Sequence, residues 1–456
     1  MTQAQQYAQE NAARFRSELI DLLRIPSVST DEDYAADCKK AAEWTVDHLK
    51  AIGLTAEVIP TGRHPLVYAE WLGAGSEAPT VLIYGHYDVQ PAAKEDGWDT
   101  EPFDPVERDG KIWGRGTTDD KGQFFTHVKA VESLLETDGK LPVNVKFIIE
   151  GEEESGGESI AKYVHEHADR LAADVCIISD TSMAKKDQPV IVYALRGVTA
   201  FEVTVYGPKQ DLHSGMYGGT VHNPAQALAE IISKLHNEDG SVAVPGFYDA
   251  VRVLSDDERA ALEKVPYSEE EWKDDTGAPK PWGESDYSIQ ERIGARPTLE
   301  INGMASGYWG NGMKAIVPEK AWAKMSCRLV ADQDPATVAK LCQDYIMEIA
   351  PDTVRVEVTP FKVGTPSPQT DIDTPMMQAA IAAYEKGWGA APVFKREGGS
   401  LPIVGDFQKV LQVPVILMGF GLNTDGLHGP NEHIHIDMFH KGINTSIALL
   451  DEVAKL

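Results

Sequence analysis

The sequence predicts a two-domain α/β protein: a layered α/β domain with a mostly parallel sheet, interrupted by a smaller inserted strand-helix-strand-strand-helix-strand unit. Three observations carry this. At 456 residues the chain is too long for one ordinary core. Helix and strand patterns alternate at its start and again at its end. Between them, after Arg196-Gly197, the apolar residues recur at every second position, as in half-exposed strands.

Taken in order, Phe15, Leu19, Leu22 and Leu23 fall on one face of an N-terminal helix. It must end before Ile25-Pro26, because proline disfavours helical backbone in the residue before it. Residues 41–52 read as a second helix, closed by Gly53. Strands are expected near 55–59, 66–71 and 80–85, then a helix over 122–135 and a strand over 143–149. In the middle segment Phe201, Val203 and Val205 alternate, and Asn223-Pro224 opens a helix whose apolar face is Leu228, Ile231, Ile232 and Leu235. Strands follow at 298–303 and 321–330. Asp334-Pro335 opens a helix with Val338, Leu341, Cys342, Tyr345 and Ile346 on one side, and Val354, Val356 and Val358 make a last strand. That order is ferredoxin-like (βαββαβ), with the acidic stretch 240–296 as an insertion inside it. Linkers near 196–198 and 364–368 divide the chain into 1–197 and 366–456 for the layered domain and 198–365 for the inserted one.

Composition narrows the function. Apolar residues make up 42% and charged residues 25% of the chain, as in soluble globular proteins. A net charge of −29 is the reverse of a nucleic-acid footprint and disfavours anionic membrane surfaces. No apolar run approaches the ~20 residues that span a bilayer. The four cysteines have no CxxC spacing, and Cys176 and Cys327 lie within apolar strand patterns. A polar, Gln-rich start without an apolar signal region makes the cytoplasm the expected location.

The chemistry gathers where apolar strands stop. Val81 to Tyr84 leads into Gly85-His86-Tyr87-Asp88, Val145 to Ile149 into the run Glu152-Glu153-Glu154, Val175 to Ser179 into Asp180, and Val413 to Phe420 into the loop with His428. In open α/β sheets, sites form outside the carboxyl ends of strands. Imidazole suits zinc-like ions, and a nearby carboxylate such as Asp88 can fix its tautomer. Asp119 and Asp120, between glycines and ahead of a helix, are either N-capping groups or a carboxylate bridging two metals. Glu153 and Glu154 are adjacent, so they leave the backbone in different directions, which suits one ligand and one general base. Arg328 shares the polar face of its strand with Lys324 and Ser326 and can hold a carboxylate bidentately. The pairs His165/His167 and His433/His435 are expected to be exposed rather than ligating, and His127 to be packing or surface.

Together, Gly85-His86-Tyr87-Asp88-Val89, Gly114-Arg115-Gly116 with Asp119-Asp120-Lys121-Gly122, Glu153-Glu154-Ser155-Gly156, Ser179-Asp180, Asp211-Leu212-His213-Ser214-Gly215, Arg396-Glu397-Gly398-Gly399-Ser400 and Gly426-Leu427-His428 resemble the M20 family of metallopeptidases. The run from Tyr84 through Gly97-Trp98-Asp99 to Gly122 is most similar to its cytosolic non-specific dipeptidase and carnosinase branch. The resemblance implies two divalent ions per subunit, Zn²⁺ or Mn²⁺: His86 and Asp180 on one, Glu154 and His428 on the other, Asp119 bridging. It also implies a cis Asp119–Asp120 peptide, Asp88 orienting His86, and Glu153 as general base for a metal-bridging hydroxide. Arg328, Gly399 and Ser400 would hold a substrate carboxylate. His213, otherwise a surface loop residue, would reach the other subunit's site and polarise the scissile carbonyl, which makes the inserted domain a lid and the homodimer contact. The expected substrate is a small peptide with a free C-terminus; an N-acyl-amino-acid amidohydrolase would use the same centre. Relatives commonly carry Asn or Thr where this chain has Ala315, which bears on substrate selection.

Overall fold

The structure, a computed structural model, describes residues 1–361 and 364–456. Its strands, in chain order, are β1 (Thr55–Ile59), β2 (Leu66–Trp71), β3 (Thr80–His86), β4 (Asn144–Glu150), β5 (Val175–Ile178) and β6 (Val190–Leu195). Then come β7 (Gly197–Tyr206), β8 (Thr298–Ser306), β9 (Lys320–Leu329), β10 (Arg355–Pro360), β11 (Val393–Glu397) and β12 (Val415–Leu417). Shorter strands enter below by residue range.

Mostly apolar runs form the centre of one eight-stranded sheet in the order β1-β2-β4-β3-β5-β12-β6-β11. The centre, β4-β3-β5-β12, is parallel, so the carboxyl ends of these strands share one edge. Both margins are mixed: β1 and β2 run antiparallel at one side, and the parallel pair β6–β11 runs against β12 at the other. Helices α1 (Ala12–Leu23), α2 (Ala35–Ala51) and α3 (Lys121–Asp138) cover one face with two later helices, Pro375–Gly387 and Ile436–Val453. A capped helix, Gln3–Glu10, precedes α1 and was not anticipated; Thr2 and Gln5 exchange side-chain and backbone hydrogen bonds at its start. Every residue of α3 from Lys121 to Leu134 is buried, so this helix lies inside the layer. Gly85 lets it approach the sheet, because a Cβ there would stand 2.5 Å from Phe124 Cβ and 2.8 Å from Asp120 Oδ2.

The middle segment forms a separate antiparallel sheet, β8-β9-β7-β10, covered by α4 (Pro224–Ile232) and α5 (Pro335–Ile349). Strand β7 alternates buried and half-buried residues along its whole length, as a one-sided sheet requires. Phe201, Val203, Leu228, Ile231, Met325 and Cys342 share its core. The 240–296 insertion turns back onto the large sheet: Glu258, on the helix Asp256–Leu262, takes hydrogen bonds from Tyr193 of β6 and Arg396 of β11. Helices α6 (Pro375–Gly387) and α7 (Ile436–Val453) then complete the large domain. Among the described residues no helix is long and apolar enough to cross a membrane.

Candidate metal centre

At the carboxyl edge of the parallel strands, residues from five segments converge. His86 ends β3, Asp180 lies just past β5, Glu153 and Glu154 form a single 3-10 turn after β4, and Asp119 precedes α3. His428 lies in the loop after β12, with φ +56, a left-handed conformation that is uncommon for a side chain of this size. Asp119 sits between the imidazoles: its Oδ1 is 3.1 Å from His86 Nε2 and its Oδ2 is 3.0 Å from His428 Nε2. His86 Nε2 is also 3.6 Å from Asp180 Oδ2, and His428 Nε2 is 3.4 Å from Glu154 Oε2. The two groups of ligand atoms, His86/Asp119/Asp180 and Asp119/Glu154/His428, therefore share one carboxylate.

The donor set fits a pair of cations. His86 is fully buried, and its Nε2 faces carboxylate oxygens of Asp119 and Asp180 at 3.1 and 3.6 Å. Burial pushes the carboxyls of Glu153, Glu154 and Asp180 up to about 7 each, with the neighbouring carboxylates adding to it. The hydrogen bond to Asp119 pushes His428 up to about 9, and Asp119 itself lies well below the carboxylate range because both imidazoles hold its charge. Clustered, largely buried carboxylates facing two imidazole Nε2 atoms are the arrangement that divalent ions neutralise.

The supports around these groups are specific. His86 Nδ1 donates to the backbone oxygen of Asp88 at 3.0 Å, while the Asp88 carboxylate is 3.4 Å away. That carboxylate instead accepts from Ser29 Oγ at 2.6 Å and from the backbone N–H groups of Glu153 and Glu154 at 3.3 and 3.1 Å. The residue expected to orient His86 thus does so mainly through its main chain, and its side chain fixes the turn that carries the glutamates. The Asp119–Asp120 peptide is cis.

Glu432 was not anticipated and is the principal scaffold. Fully buried, it accepts from Arg115 Nη1 at 2.7 Å and Gly116 N at 2.9 Å on one oxygen, and from Thr118 N at 2.9 Å and Asp119 N at 3.1 Å on the other. It ties the His428 loop to the Asp119 loop. Its signal in the sequence was slight: one acidic residue among several polar ones in Gly429-Pro430-Asn431-Glu432.

The remaining expected residues divide. Arg328 Nη1 donates to Ser400 Oγ at 3.0 Å, and Ser400 Oγ donates to the backbone oxygen of Arg196 at 2.5 Å. Gly399 leaves open space where a side chain would stand. Arg196, read from the sequence only as a linker, places a second guanidinium beside Arg328; burial and that neighbour push it down to about 10. His213 is exposed in the short strand Leu212–His213, accepts from Gly215 N at 3.0 Å, and is outside both ligand groups. Ala315, also exposed, accepts from Ser214 N through its backbone oxygen. His165 and His167 are exposed, and His127 is buried against Ser179 Oγ at 2.7 Å. The expectation for the other pair is corrected: His433 is buried and His435 half-buried, because the strand His433–His435 pairs with Lys111–Trp113 instead of lying on the surface.

The profile described as Peptidase family M20/M25/M40 matches residues 82–452. The chain is 33% identical over 459 residues to "Cys-Gly metallodipeptidase dug1" of Schizosaccharomyces pombe, covering 97% of this chain and 96% of that protein. It is 31% identical to human "Beta-Ala-His dipeptidase", covering 97% of this chain and 86% of that one. Among solved structures, the dipeptidase Dug1p of Saccharomyces cerevisiae superposes with a TM-score of 0.79 at 30% identity, covering 100% of this chain and 98% of the other. The metallo-carboxypeptidase Sso-CP2 of Sulfolobus solfataricus gives 0.83 at 31%, covering 97% and 99%.

Proposed function

The chain belongs to peptidase family M20/M25/M40, and on that premise we propose that it is a dinuclear metal-dependent dipeptidase cleaving small peptides with a free C-terminal carboxylate. The observation that carries this reading is Asp119, whose two oxygens face two imidazoles from opposite ends of the chain. His86 and Asp180 would hold one ion, Glu154 and His428 the other, with Asp119 between them. When bound, Zn²⁺ or Mn²⁺ ions supply Lewis acidity and make water a nucleophile at neutral pH. Glu153, held by the Asp88 carboxylate through its backbone N–H, takes the proton of the attacking water and delivers it to the leaving amine.

Arg328 and Ser400, in contact with each other, hold the substrate carboxylate, and the open space at Gly399 leaves room for it. The second guanidinium of Arg196 strengthens the positive potential there. The inserted unit is a ferredoxin-like lid and the contact of a homodimer, and the exposed His213 acts on the second subunit's site. Mixing inactive His213→Ala and Glu153→Gln enzymes would then restore activity in hybrid dimers; no recovery would remove His213 from that role. Four free cysteines, all buried, suit a reducing compartment such as the cytoplasm.

The substrate assignment is tested with metal-reconstituted enzyme on a broad dipeptide panel beside the matching N-acetyl amino acids. Faster cleavage of dipeptides supports it. An intact dipeptide panel with deacylated N-acetyl amino acids would replace it with an amidohydrolase.

A further inference from the structure

A third cluster of ligand atoms stands behind the His428 loop. Asp425 closes the turn Asn423–Asp425 at the start of the loop, and His433 and His435 lie on the strand that ends it. Two residues apart on a strand, the histidines project to the same side. Asp425 Oδ1 is 3.4 Å from His433 Nε2 and 3.9 Å from His435 Nε2. Four ligands at ~2.0–2.1 Å around a tetrahedral zinc ion stand roughly 3.3 Å apart, so modest adjustment suffices.

Three observations mark this as more than a polar cluster. Asp425 is fully buried and its Oδ1 has no hydrogen-bond partner among the described residues, while Oδ2 accepts from Leu422 N at 2.8 Å. An orphaned carboxylate oxygen is therefore aimed at two imidazoles. His433 Nδ1 faces the backbone oxygen of Asn431 at 2.9 Å. A carbonyl only accepts, so the ring proton is on Nδ1 and the Nε2 lone pair is free for a cation. That lone pair already receives one: Lys111 Nζ stands 2.8 Å from it, on a half-exposed side chain that can swing to solvent.

We propose that Asp425, His433 and His435 form a separate site for a transition-metal ion such as Zn²⁺, which displaces Lys111 and ties together the two ends of the loop that carries His428. With two imidazoles, one carboxylate and a water, the site is of the type zinc accepts and magnesium or calcium does not.

The probe is Zn²⁺ alone, added to EDTA-stripped full-length protein that is then desalted and counted by elemental analysis. Wild type should retain three ions per chain, His433→Asn/His435→Asn two, and His86→Ala/Asp119→Ala, which lacks the shared carboxylate and one imidazole, one. Lys111→Met should bind the third ion at least tenfold more tightly, a measurement that holds even if the double-histidine variant does not fold. No ion in His86→Ala/Asp119→Ala, or unchanged zinc affinity in Lys111→Met, would overturn the proposal and leave the dinuclear reading intact. A wild type whose only ion is lost with His433 and His435 would do the opposite.

Discussion

Replacing Glu432 with glutamine keeps the volume of a buried side chain and removes the negative charge that four donors share. Burial holds the Glu432 carboxyl above the usual carboxylate range against the pull of Arg115, and the four groups within 3.1 Å of its oxygens are all donors, which suits the ionised form. In the variant, Arg115 is left buried beside a neutral amide, with Gly429 O at 3.1 Å as its remaining acceptor. Breaking a buried ion pair from one side costs ~3–5 kcal/mol. The amide NH₂ must also face either Gly116 N or the Thr118 and Asp119 N–H groups, donor against donor, at ~1–3 kcal/mol for each group left unpaired. A loss of about 4 kcal/mol or more is expected, a large share of the ~5–15 kcal/mol that holds a typical domain folded. Urea unfolding of EDTA-stripped protein reads it directly. The double variant Arg115→Met/Glu432→Gln should recover part of the loss, with a coupling of ~2 kcal/mol or more. A Glu432→Gln protein within about 1 kcal/mol of wild type, or strictly additive single variants, would refute the scaffold role argued from these distances.

Glu153→Gln should lower kcat by ~10²–10⁴ while metal content by elemental analysis stays that of wild type; undiminished turnover removes Glu153 as the base. Arg328→Met deletes a charge-assisted contact of ~1.5–3 kcal/mol, so kcat/KM for dipeptides should fall about tenfold to a hundredfold, and a peptide with an amidated C-terminus should lose far less. Burial pushes His127 down to about 3, so the folded protein keeps it neutral while the unfolded chain protonates it near 6.5. Its contribution is therefore lost as pH falls from about 6.5 towards 3, by about 1.4 kcal/mol per pH unit. In urea titrations of metal-free protein at pH 7.5 and 5.0, the stability gap between wild type and His127→Gln should narrow at the lower pH; an unchanged gap contradicts the assignment.

The parallel centre of the large sheet was readable because β3, β4 and β5 are dominated by apolar residues, with Lys146 the one charge inside β4, and such strands are buried on both faces. The edge strand β11 was not, since Val393-Phe394-Lys395-Arg396-Glu397 is half charged; its polar residues are absorbed by tertiary partners, Arg396 meeting Glu258 from the distant insertion. Likewise His86, Asp119 and His428 announced themselves as ligand types at strand ends, and the structure brings them together. Glu432 and Arg196 did not, because nothing local distinguishes a scaffold carboxylate or a half-buried guanidinium from a solvated one. Their roles come from contacts more than two hundred residues away, from Glu432 to Arg115 and from the Arg196 guanidinium to the backbone oxygen of Gly398. The misplaced expectation for His433 has the same origin, its burial being set by pairing with Trp113.

Anomalous diffraction at the zinc edge from crystals of the reconstituted enzyme locates the ions themselves. A dinuclear centre gives two peaks flanking Asp119, one among His86 and Asp180 and the other among Glu154 and His428, at the ~3.5–4 Å separation of two-metal sites. A single peak there, or peaks that leave Asp119 without a metal on each oxygen, would contradict it.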